Sequence, residues 1–135
     1  MKTFIERFTH ICENTNPRLE KYFSELNSQS NNEIKSLSAN HYAFLTGMLD
    51  LIKSIDTLSA DIAVAMIAAD ASNDMEKISA LNKLFEICDC YKRNVEEYFH
   101  STQNILKQDD SNTIFSLKQK TDELIRKTLM LKNQL

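Results

Sequence analysis

The sequence predicts an all-α fold, an elongated antiparallel four-helix bundle built as one domain over residues 1–135. Three observations lead there. Apolar residues recur at three- and four-residue spacing along nearly the whole chain, the pattern of helices turning one face to a core. One glycine and one proline in 135 residues are too few turn formers for a sandwich, a barrel or a doubly wound sheet. The polar breaks between periodic segments are short, and short connections make consecutive helices antiparallel.

In the first segment Phe4, Ile5, Phe8, Ile11 and Cys12 share a face. Asn16-Pro17 is expected to interrupt it, because proline has no N–H and disfavours α geometry in the residue before it. Asn16 as N-cap and Pro17 at the first helical position would restart a helix at once, continuing through Leu19, Tyr22, Phe23 and Leu26. The polar run from Asn27 to Asn32 reads as a helix end and a loop.

The second helix is the long one, with Ile34, Leu37, His41, Phe44, Met48, Leu51, Ile55, Leu58, Ile62, Met66 and Ala69 alternating by three and four. That sustained 3.5-residue repeat is coiled-coil-like. Gly47 inside it costs about 1 kcal/mol relative to alanine. The pattern stops near Ser72-Asn73-Asp74, where Asn73 followed by Glu76 reads as a helix start. A third helix carries Met75, Ile78, Leu81, Phe85, Cys88, Tyr91, Val95, Tyr98, Thr102 and Ile105. Asp109 to Asn112 is the next connection, and the fourth helix carries Ile114, Phe115, Leu117, Leu124, Ile125, Thr128, Leu129 and Leu131.

Composition removes several functions. With a net charge of −3, and charged residues at 26%, the chain is a poor DNA binder. Without glycine-rich loops it has no Walker or dinucleotide fingerprint. The longest apolar run, Ile62 to Ala69, is far shorter than the ~20 residues of a transmembrane helix. Three cysteines, an odd number, without a signal peptide point to a reducing compartment, here the cytoplasm. Charge is uneven: from Ser54 to Glu76 there are five acids and no base, whereas the last helix has a mildly basic face.

One segment resembles an enzymatic motif. Arg93-Asn94-Val95-Glu96-Glu97-Tyr98-Phe99-His100 is similar to the Arg-x4–6-His signature of HEPN-family ribonucleases. That resemblance implies metal-independent RNA cleavage at a dimer interface, with Arg93 on the scissile phosphate and His100 as general acid or base. The same residues also read as an exposed polar stripe, with Arg93–Glu97 and Glu96–His100 at i,i+4. Glu97 and His100 form half of a carboxylate di-iron pattern, but neither His10 nor His41 has a glutamate three residues before it, so no metal or other cofactor is expected. His41, in line with the apolar stripe and followed by Phe44 and Leu45, reads as a core histidine bonded to a neighbouring helix. Cys88 and Cys90 point to different sides of one helix, and all three cysteines read as small hydrophobes.

The second helix has a further feature. Ala60, Val64, Ile67 and Ala71 fall opposite Ile62, Met66 and Ala69, making a second apolar stripe flanked by Asp61 and Asp70. Either the first helix, bent at Asn16-Pro17, wraps over it, or the stripe is an intermolecular surface. The sequence is read as the second: a non-enzymatic helical interaction protein (adaptor, chaperone or assembly subunit) that binds a protein partner or its own copy through helix packing. The alternatives are the HEPN-like ribonuclease, under which RNA is the partner, and a BAR-like membrane-binding module suggested by helix length.

Overall fold

The computed structural model describes residues 1–28, 34–108 and 110–135, with the side chains of residues 34 and 35 left aside. Four helices contain 93% of those residues: α1 (Lys2–Ser28), α2 (Ile34–Ala71), α3 (Met75–Gln108) and α4 (Thr113–Asn133), with no strand among the described residues. Most of the expected connection from Asn27 to Asn32 lies outside the described residues, as does Asp109.

Consecutive helices pack on each other, and α4 closes the square against α1. At 1.5 Å per residue α2 and α3 run about 50–57 Å, so the bundle is elongated. Exposed ion pairs mark the register of three seams: Arg7 with Asp61 at 2.8 Å, Lys92 with Asp56 at 2.7 Å, and Lys132 with Glu13 at 3.5 Å. Pairs this exposed add little stability, but they show which levels face each other. Lys132 stands beside Glu13, and Gln134 and Leu135 share a hollow with Met1 and Ile5, so the chain ends alongside the first turns of α1.

Two expectations about helix ends are corrected. α1 runs unbroken through Pro17. The ring removes one amide partner from the Glu13 carbonyl, a cost of about 3 kcal/mol in a helix interior. Cys12, Thr15 and Leu19, all buried, anchor the helix on both sides of the defect, while Pro17 itself is exposed. At the α2–α3 turn the N-cap is Asp74, not Asn73: Asp74 Oδ1 accepts the Lys77 amide at 3.2 Å. Asn73 instead ends α2 in the left-handed region, at φ 54°. Its amide bonds the Asp70 carbonyl and the Asp74 amide bonds that of Ala69, the paired bonds of a Schellman ending.

The core contains the expected stripe of α2 from Leu37 to Ala69, with Phe44 and Met66 half-buried, and also Leu45. On α3, Met75 is an exception to its stripe and is 70% exposed. On α4, Phe115 and Leu129 face solvent at 61% and 42%. The buried ridge there is Leu117, Leu124 and Leu131 together with Thr113, Thr121 and Thr128. Threonine can line a core because each of the last two hydroxyls bonds the carbonyl one turn back, at 2.8 Å, and so presents its methyl and a satisfied oxygen.

Candidate functional site

The second stripe of α2 is uncovered in the single chain. Val64 and Ile67 are 67% and 72% exposed, and Ala60 and Ala71 are exposed with them. On the other side of the same helix Ile62 is fully buried and Ala69 nearly so. α1 does not wrap over the stripe. It lies along the flank of α2, with Arg7 reaching Asp61, because Phe8, Ile11 and Leu19 carry it into the core. Helix periodicity had located both apolar faces; packing leaves one of them to solvent.

Arg93 and His100 are both exposed on α3. Arg93 Nε pairs with Asp89 at 3.1 Å, one turn earlier, and not with the expected Glu97. His100 Nε2 lies 3.4 Å from Asn104 Nδ2, one turn later. Seven residues apart, the two side chains rise from the same side of α3 about 10 Å from each other along the axis. Each is engaged with its own neighbour, and no described hydrogen bond or ion pair joins them.

A chain of buried polar contacts runs through the bundle. His41 takes the Tyr22 hydroxyl at Nδ1 and meets Thr102 Oγ1 at 2.7 Å from Nε2, linking α1, α2 and α3. Tyr91 meets Thr15 at 2.6 Å across the α1–α3 diagonal, and Tyr98 meets Thr121 at 2.9 Å between α3 and α4. Burial lowers the His41 pKa from 6.5 to about 4 and pushes the Tyr22, Tyr91 and Tyr98 hydroxyls up. The Tyr22 ring stacks on Phe44 with centroids 4.1 Å apart. His41 is thus the bonded core histidine its position implied. Its partners were not legible, since a lone threonine or tyrosine in a helical stripe carries no mark of what it will face.

The thiols of Cys12 and Cys88 are fully buried, and burial pushes both up to about 12, away from the thiolate that reacts with oxidants or metals. Among the described residues no group of three His, Cys, Asp or Glu side chains is placed to hold a metal ion. No described helix is long and apolar enough to cross a membrane. Between α1 and α2 an open groove of about 440 Å³ is lined by residues of both charges, among them Arg18, Lys21, Glu25 and Asp50. Arg18 Nη1 bridges it to the Gly47 carbonyl at 2.7 Å. Compared with protein-family models, with curated proteins and with solved structures, the chain finds no match.

Proposed function

We propose that the chain is a non-enzymatic helical interaction protein, an adaptor, chaperone or assembly subunit of the cytoplasm, which works through helix packing at the outer face of α2. The observation that carries this reading is the exposure of Val64 and Ile67 within a helix whose opposite face is core. Valine and isoleucine in the last turns of α2, two-thirds or more exposed and framed by Ala60 and Ala71, make a continuous apolar stripe and not a scattered surface residue. The surrounding alanines, six between residues 60 and 71, let another backbone come close. Two buried thiols fit a reducing compartment.

The test is the double change Val64→Lys, Ile67→Lys. The variant is expected to keep its helical circular dichroism and melting temperature and to lose self-association or its partner. Unfolding would show that the stripe supports the core and would overturn the reading. The ribonuclease alternative has its own test, Arg93→Ala with His100→Ala: RNA cleavage by the unaltered chain that disappears in this pair would replace the interaction reading. The BAR-like alternative requires sedimentation with anionic liposomes, against which a net charge of −3 weighs.

A further inference from the structure

The outer stripe of α2 lies in the most acidic stretch of the molecule. From Ser54 to Glu76 the chain has Asp56, Asp61, Asp70, Asp74 and Glu76, and no lysine or arginine. Two of these carboxylates are answered from neighbouring helices, Asp56 by Lys92 and Asp61 by Arg7. Asp74 bonds a backbone amide. No described ion pair reaches Asp70, Asp74 or Glu76, and α2 has no base in its last turn. The end of α2 and the start of α3 meet here with opposite partial charges that offset each other, so the carboxylates set the sign of this pole.

Taking the stripe as an interaction surface, as proposed above, we infer that its occupant is a basic amphipathic helix from a different protein, and not a second copy of this chain. The apolar half of the match is a ridge of side chains at three- and four-residue spacing laid on Ala60, Val64, Ile67 and Ala71. The polar half is a rim of lysine or arginine beside Asp70, with more at the Asp74–Glu76 end. A second copy supplies the wrong rim. Pairing two such stripes antiparallel would put both Asp61 at one edge and both Asp70 at the other; Arg7 answers each Asp61, but each Asp70 would have no cation from residues 54–76 to meet it. Like charges brought together at a contact oppose it, while complementary ones steer the encounter and select the partner. Met75, exposed at the start of α3 beside this pole, extends the apolar surface toward the same end of the bundle.

The experiment uses three synthetic helical peptides of about five turns with one shared apolar stripe and rims of lysine and arginine, of glutamine, or of glutamate. Each is titrated into the full chain by fluorescence anisotropy, at about 50 and about 300 mM salt, where screening lengths differ more than twofold. The basic peptide is expected to bind at least about tenfold more tightly than the glutamine peptide, and the glutamate peptide most weakly. The advantage should shrink at the higher salt and disappear in Asp70→Lys. Val64→Ser with Ile67→Ser, which adds no charge, should abolish binding of all three. Equal binding of basic and glutamine peptides overturns the charge inference and leaves the stripe as a docking surface. Self-association lost in Val64→Ser, Ile67→Ser, with no peptide bound, assigns the stripe to a second copy and overturns it too. Neither peptide binding nor self-association through these residues removes both this inference and the reading it rests on.

Discussion

Thr102 holds His41 in one neutral form. The Thr102 hydroxyl stands 2.8 Å from the Tyr98 carbonyl and donates its single proton there, so toward His41 Nε2, 2.7 Å away, it can only accept. Nε2 therefore carries the ring proton, and Nδ1 accepts from the Tyr22 hydroxyl. A protonated His41 would place a second donor against Tyr22 in a site that already penalises charge through burial.

Stability should therefore fall in mild acid. Folded, His41 stays neutral down to about pH 4; unfolded, it charges near 6.5. Between those values the unfolded chain binds the extra proton. The contribution is fully present above pH 6.5 and is lost as pH falls toward 4, by about 3 kcal/mol in all. Urea midpoints measured at several pH values across that window should show the decline. In His41→Gln, whose amide can bond both neighbours without titrating, the decline should flatten; an unchanged slope would assign it to other groups.

The Tyr98–Thr121 contact should behave as a coupled pair. Thr121 already donates to the Leu117 carbonyl at 2.8 Å, so the tyrosine is the donor between them. Thr121→Val leaves a buried phenol without its acceptor, at a cost of about 1–3 kcal/mol. Tyr98→Phe in the same background should recover part of that loss, because neither partner is then left alone. Additive losses in a double-mutant cycle would show that the two hydroxyls are independently satisfied.

Gly47→Ala should stabilise the protein by about 1 kcal/mol. A Cβ built on Gly47 meets nothing within 4 Å, so the substitution adds helix propensity without a clash. The Arg18 bond to the Gly47 carbonyl involves backbone that the methyl does not touch. A lower melting temperature would mean that α2 needs its flexibility there.

Pro17→Ala should stabilise α1 by about 1–3 kcal/mol, by returning an amide to the Glu13 carbonyl and removing the ring from its path. Slower hydrogen exchange in the turns on either side of residue 17 would accompany it. A destabilised variant would show instead that the proline limits the unfolded chain more than it strains the helix.

Local periodicity was enough for most of the architecture. The apolar spacing of α2 and α3, and the capping residues at the α2–α3 turn, placed the helices and their ends to within a residue or two, because hydrogen bonds within a helix join residues four apart and leave their record in nearby sequence. The same periodicity found both faces of α2. It failed where the answer depended on a partner distant in the chain. Locally Pro17 is a break, yet the core contacts of Cys12, Thr15 and Leu19 carry α1 through it. The expected stripe of α4 includes Phe115 and Leu129, which face solvent, and omits Thr113 and Thr121, which are buried, because hydrophobicity says nothing of which residue finds a hydroxyl or a neighbouring helix opposite it.

By itself, then, the sequence determined the all-helical character, the four helices and the two apolar faces of α2, all consequences of spacing within single elements. Only the tertiary structure decided which face would remain open, and which threonines, tyrosines and histidine would meet in the core. Those outcomes are set by how four helices share a limited interior. α1 and α3 fill the two flanks of α2, leaving Val64 and Ile67 outside.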